Sequence, residues 1–163
     1  MADEFETRLV AALPPLRRFA LSLCRRPDVA DDLVQTCVER AVAARARFDL
    51  QTRLEPWLFR ILRNAWIDMG RRIGTRGIEI DIDDMPEASV YDGTRANEAN
   101  ILVKQTEAAL RTLSDEQREV ILLVCFEELS YAEAAEVLGI PKGTVMSRLA
   151  RGRIALAEKL GIG

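Results

Sequence analysis

Histidine is absent from this 163-residue chain, and its three cysteines, Cys24, Cys37 and Cys125, stand far apart with no CxxC pair. That argues against a zinc site of Cys and His and equally against a disulfide framework. The cysteines read instead as three small buried residues on helices. Glycine and proline are sparse, nine and six residues, while 48% of the chain is apolar, which is the composition of a folded, helix-rich protein. No apolar run approaches the ~20 residues needed to span a bilayer, so no membrane insertion is expected. The opening stretch MADEFETRLV is acidic and lacks the basic start and apolar run of a signal peptide. A cytoplasmic location is the expectation. Without a nucleophile motif, a metal-ligand cluster or a phosphate-cradling glycine loop, the chain offers no catalytic, cofactor or metal site, and it does not read as an enzyme.

What is present is charge, unevenly placed. The formal net charge is −3. Residues 1–73 carry 13 Arg and no Lys against 10 acids, a balance of +3. Residues 74–100 carry two Arg against seven acids and collect Gly74, Gly77, Pro86 and Gly93. That segment has little apolar surface to offset its ordering entropy and reads as a flexible acidic tether. A short strand at Ile78–Ile82 fits the alternation, but no second strand follows to pair with it. Residues 101–163 come to −1, yet Lys142 to Lys159 hold five cations against the single acid Glu158. Two all-helical modules, 1–73 and 101–163, joined by the tether 74–100, are the expected architecture.

In the first module, Phe5, Leu9, Leu13, Leu16, Phe19 and Leu23 recur at helical spacing, with Pro14–Pro15 expected to kink or interrupt the helix. Asp28 is the expected N-cap of a second helix reaching about Ala46, with Asp31 and Asp32 in its first turn. A third helix is predicted from Glu55–Pro56 to about Arg72. At 100° per residue, Leu58, Phe59, Leu62, Ala65, Trp66 and Met69 share one broad face, opposite Arg60, Asn64, Asp68 and Arg71, with Arg63 and Arg72 on the flanks. Such a polar face is either solvated and stitched by i,i+4 pairs such as Asn64–Asp68, or a surface for nucleic acid. Trp57 lies near it, placed to stack an unpaired base or to pack on the preceding loop.

Punctuation in the second module is sharper. Ser114-Asp-Glu-Gln117 is a capping box opening the helix SDEQREVILLVCFEEL, with Val120, Ile121, Leu123 and Val124 as its core residues. A second box, Ser130-Tyr-Ala-Glu133, opens YAEAAEVL, and Gly139 closes it. Ile140–Pro141 then turn the chain into a basic helix. Two short helices joined by a tight glycine turn form either a plain αα-hairpin or a helix-turn-helix. On the last helix Val145, Leu149, Gly152, Leu156 and Leu160 make one narrow stripe, with Gly152 permitting close approach. Ser147, Ala150, Arg151 and Ile154 point the other way, flanked by Arg148 and Arg153. Small and hydrogen-bonding groups in the middle with cations at the edges suit a helix lying in a DNA major groove.

The stretches ADDLVQTCVERAVAARARFD, PWLFRILRNAWIDMGRR and LSDEQREVILLVCFEELSYAEAAEVLGIPKGTVMSRLARGRIAL, in that order, resemble bacterial RNA polymerase sigma factors of the small two-domain extracytoplasmic-function (ECF) group. The resemblance implies that 1–73 is sigma region 2 and 101–163 sigma region 4. It implies three partners: core RNA polymerase, promoter DNA and an anti-sigma factor. Asp32, Leu33, Val34 and Gln35 match the stretch that family members press on the polymerase clamp, with Thr36 where Glu is frequent. Arg47, Phe48 and Arg53 match the loop that captures a base flipped out of the −10 element. Arg60, Asn64, Asp68, Arg71 and Arg72 lie on the helix face that binds the melted strand. Met146, Ser147, Ala150 and Arg151 match −35 readers, with Lys142, Thr144, Arg148 and Arg153 as phosphate contacts.

Two other classes fit parts of the sequence. A sigma-like decoy that sequesters an anti-sigma factor would lack the arginines at Arg71–Arg72 and Arg148–Arg153, which are present. A one-component regulator would explain the helix-turn-helix but not the arginine-rich face of the first module.

Overall fold

A computed structural model describes residues 3–76 and 98–162, and every regular element among the described residues is helical. The tentative strand at Ile78–Ile82 and most of the tether lie outside the described residues. By internal packing the chain divides into two units, Met1–Ala88 and Ser89–Gly163.

Among its described residues the first unit has three α-helices, each packed on the other two: α1 (Glu4–Cys24), α2 (Pro27–Ala43) and α3 (Leu54–Arg76). Its core draws Phe5, Leu9, Ala12, Leu16 and Phe19 from α1, Leu33, Cys37 and Ala41 from α2, and Leu58, Phe59, Leu62 and Ala65 from α3. Phe19 and Phe59 meet edge-on at 5.4 Å. Of the two expected effects of Pro14–Pro15, interruption does not occur: α1 runs unbroken through both. Each removes one backbone bond, but the carbonyls so released belong to Val10 and Ala11, both on the exposed side of the helix, where solvent is within reach. Against a cost of ~3 kcal/mol per proline stands the burial of at least four large side chains at ~1.5–3 kcal/mol each. Packing wins.

The α2 N-cap also differs from expectation. Arg26 holds the cap position and Pro27 opens the helix. Proline is already set at the helical φ and has no N–H to leave unbonded. Asp28 therefore lies inside the first turn, bonded to Arg26 at 3.0 and 3.2 Å, and Asp31 and Asp32 fall beyond that turn.

The second unit comprises α4 (Glu98–Thr112), α5 (Asp115–Ile121), a single wide π-helical turn (Leu122–Phe126), α6 (Tyr131–Leu138) and α7 (Lys142–Leu160). α4 has no counterpart in the sequence reading, although its Ala109 and Leu110 join the core. α3 and α4 each extend three residues into the segment that composition marks as tether. The wide turn alters which residues are buried. Val120 to Leu123 are buried consecutively, whereas Val124 is half-buried and Cys125, expected inside, is exposed. The other two thiols are buried, and burial pushes Cys37 up to about 12. Ser130 and Glu133 form the full reciprocal capping box, and Gly139 closes α6 at φ 66°. No helix among the described residues is long and apolar enough to cross a membrane.

Gly152 is buried on α5: a Cβ there would meet Ile121 Cδ1 at 2.8 Å and Cγ1 at 3.3 Å. Gly70, exposed within α3, has nothing within 4 Å of its missing Cβ. Gly152→Val should therefore destabilise the second unit by ~1–3 kcal/mol through overpacking. Gly70→Ala should stabilise the first by ~0.5–1 kcal/mol through helix propensity. Thermal unfolding of both variants checks the opposite signs, and a shared sign would refute this account of the two glycines.

Candidate nucleic-acid interface

Core packing of α3 decides what its other side offers. With Leu58, Phe59, Leu62 and Ala65 inside, Arg60, Asn64 and Arg71 stand exposed on the far side. Trp66 and Met69, expected in the core, are only half-buried. The Arg72 side chain lies outside the described residues. Asp68 is not paired with Asn64 along its own helix. It is half-buried and receives a 3.0 Å hydrogen bond from Arg40 Nη1 of α2. So held, its carboxylate can accept from a base amino group but repels phosphate.

The connection from α2 to α3 is a built structure. A 3-10 turn, Arg45–Arg47, leads into a turn at Asp49, whose carboxylate accepts from the Gln51 N–H at 2.9 Å. Arg47 and Arg53 are exposed, while Phe48 is half-buried. The Phe48 ring lies 5.0 Å from Trp57 and 6.1 Å from Phe5. Trp57 thus packs on the preceding loop, one of the two places the sequence allowed it. Arg8 of α1 donates to the Leu50 carbonyl at 3.1 Å and the Thr52 carbonyl at 2.6 Å, with its guanidinium 5.4 Å from the Phe48 ring centre. Arg45 pairs with Asp3 and lies 4.9 Å over Phe5. The Glu6 amide first, and then Arg45, hold the Asp3 carboxyl below its usual range. Arg8 and Arg45 escaped the sequence reading, because no spacing rule links them to partners some forty residues away.

On α2, Asp32 and Gln35 are exposed and Val34 is half-buried, with Gln35 donating to Glu39 at 3.3 Å. Leu33 is fully buried. It is a core residue of the first unit, packed away from the surface that Asp32 and Gln35 share. The i,i+3 spacing of Ala30, Leu33 and the i,i+4 step to Cys37 form the stripe that faces α1 and α3.

On α7, Val145, Leu149 and Gly152 are buried, Leu156 and Leu160 half-buried. Lys142, Met146, Ser147, Ala150, Arg151 and Arg153 are exposed on the outer side, with Thr144 half-buried. Arg148 lies at one edge, 3.5 Å from Glu116 of α5, and Arg153 at the other, 3.8 Å from Cys125 Sγ. This surface combines a small, hydrogen-bonding centre with cationic margins.

The sigma-70 region 2 family profile matches residues 9–76 and the sigma-70 region 4 profile residues 104–156. The ECF RNA polymerase sigma factor EcfG of Rhodopseudomonas palustris is 36% identical over 160 residues, covering 98% of this chain and 87% of its own. The ECF sigma factor SigW of Bacillus subtilis is 33% identical over 145 residues, 80% of this chain and 75% of its own. Among solved structures, the sigma factor RpoE of Bartonella quintana, in complex with the anti-sigma factor NepR, superposes with TM-score 0.81 at 34% identity over 99% of each chain.

Both members of the Arg40–Asp68 pair are partly exposed, 39% and 42%. A double-mutant cycle of Arg40→Ala and Asp68→Ala in urea should return a coupling of ~0.2–1 kcal/mol that shrinks in high salt. A coupling above ~2 kcal/mol, unmoved by salt, would mean that the pair is shielded from solvent and carries the α2–α3 packing.

Proposed function

The chain belongs to the sigma-70 family, in its ECF group, and from that membership we propose how its two units divide the work of promoter recognition. As a sigma factor it binds core RNA polymerase and directs transcription initiation. The first unit docks on polymerase through the exposed Asp32 and Gln35, with Val34 beside them, and engages the −10 element through Arg47, Arg53, Arg60, Asn64, Arg71 and Arg72. Phe48 serves this unit as the anchor of the loop, and Asp68 as a base acceptor held by Arg40. The second unit reads the −35 element with Met146, Ser147, Ala150 and Arg151. Lys142, Thr144, Arg148 and Arg153 contact the phosphates. The division falls at the tether, with region 2 in 1–73 and region 4 in 101–163. The protein works in the cytoplasm, where core polymerase is, and an anti-sigma factor holds it inactive.

The observation that carries this reading is α7. The side that would enter a groove is the side its packing on α5 and α6 leaves open, and its cations sit where two phosphate backbones would run. The arginines at Arg148, Arg151 and Arg153 also weigh against a decoy that binds only an anti-sigma factor.

Run-off transcription with core polymerase on a promoter library tests the function directly: transcripts should appear only when the protein is added. Asp32→Ala with Gln35→Ala should weaken core binding at unchanged helicity, and undiminished capture of core by the double variant would remove that face from the docking site.

Arg151 is the cation at the outer centre of α7, where its fork can take a guanine edge worth ~1–3 kcal/mol of discrimination. Arg151→Ala should relax preference at one or two −35 positions. Arg153→Ala should weaken all promoters alike and lower the salt slope by about one unit. Competition across single-base −35 variants at two salt concentrations separates them. Uniform weakening by Arg151→Ala, with base preferences intact, would reverse the roles of reader and clamp.

A further inference from the structure

The loop between α2 and α3 is fastened to the first two turns of α1 by contacts that its own sequence does not supply. Arg8 lies in a helix with no place in the −10 interface outlined above. Yet its guanidinium donates to two loop carbonyls, Leu50 at 3.1 Å and Thr52 at 2.6 Å, and caps the Phe48 ring at 5.4 Å. Those carbonyls bracket Gln51, and the exposed Arg47 and Arg53 flank the clamped stretch on either side. Glu4, one helical turn away, lies 3.9 Å from the same Nη1 that donates to Leu50. A planar fork that holds two carbonyls at once fixes the path of the intervening backbone in a way a single point donor cannot.

We propose that Arg8 is a positioning residue for promoter selection, holding the 47–53 loop in the shape in which it receives an unpaired base. The proposal rests on the reading of that loop as a −10 contact. Its consequence is that base preference, and not only affinity, depends on a side chain of α1 that touches no DNA. An unclamped loop samples several shapes. Each accommodates a different base, so the selected base loses its advantage before the rejected ones do.

The test uses holoenzyme assembled from the full chain and fork-junction DNA randomised across the −10 region, sequenced before and after selection. Preference is the enrichment ratio of the best to the worst base at each position. Arg8→Ala should cut that ratio roughly tenfold at one position, leaving the others and core binding near wild type. Arg8→Lys, which keeps the charge and the aliphatic stem but loses the fork, should fall between the two. It also carries the comparison if the alanine variant fails to fold. Amide exchange of Gln51 and Arg53 in the free protein should quicken in the same order. Arg47→Ala and Arg53→Ala separate the two layers of inference. If they shift preference and the Arg8 variants do not, Arg8 has no positioning role. If neither pair shifts it, the loop is not a −10 contact and the reading beneath the proposal falls with it. An Arg8 variant that lowers enrichment equally at every position also overturns it.

Discussion

A helix can give only one side to a core, and the exposed sides of α3 and α7 are what remains after that side is spent. Leu58, Leu62 and Ala65 pack inward, so Arg60 and Asn64 have nowhere to be but outside. Val145, Leu149 and Gly152 pack inward, so Ser147 and Arg151 face out. The buried side chains thus aim the polar ones, and a change of register in the core would rotate the whole exposed surface by 100° per residue. In α7 the fit is close because Gly152 lets the helix settle against Ile121.

Clean 3.6-residue periodicity is the reason so much of α3, α6 and α7 was legible from the residues alone. The capping box at Ser130 and the left-handed Gly139 mark boundaries through local chemistry, which a sequence carries in full. Where the pattern departs from 3.6, the sequence misleads. Where α5 runs into the wide turn at Leu122–Phe126, four residues from Val120 to Leu123 are buried in succession and Cys125 lies outside, against the ordinary helical wheel. Leu33 shows a different limit: resemblance transfers a whole stretch, and burial then distinguishes Leu33, which packs in the core, from the exposed Asp32 and Gln35 beside it.

Long-range polar contacts were the least legible, and they change what the cations mean. Counting arginines treats each as available to phosphate. In the fold Arg40 is committed to Asp68, and Arg148 stands beside Glu116. Both pairs are partly exposed, so each contributes little to stability, but a phosphate competing for Arg148 must first displace or share a carboxylate. A cation shared in this way adds less to indiscriminate attraction than its formal charge suggests. Bringing DNA close to α7 therefore also means bringing it close to Glu116, which raises the cost of approach for any duplex not seated to compensate.

The same reasoning bears on order in the α2–α3 loop. Fixing the backbone of one residue costs ~1–2 kcal/mol, so a loop ordered only on binding would consume several kcal/mol of contact energy. Here Phe48, inserted against Trp57 and Phe5, and the Asp49 turn meet that cost during folding of the first unit. The residues that present Arg47 and Arg53 are thus the products of core packing, just as Arg60 and Asn64 are. The presentation of these side chains is thus inherited from the hydrophobic core outward, through the Phe48 ring and the loop carbonyls that Arg8 holds, so the aromatic anchor shapes the surface as much as the exposed arginines do.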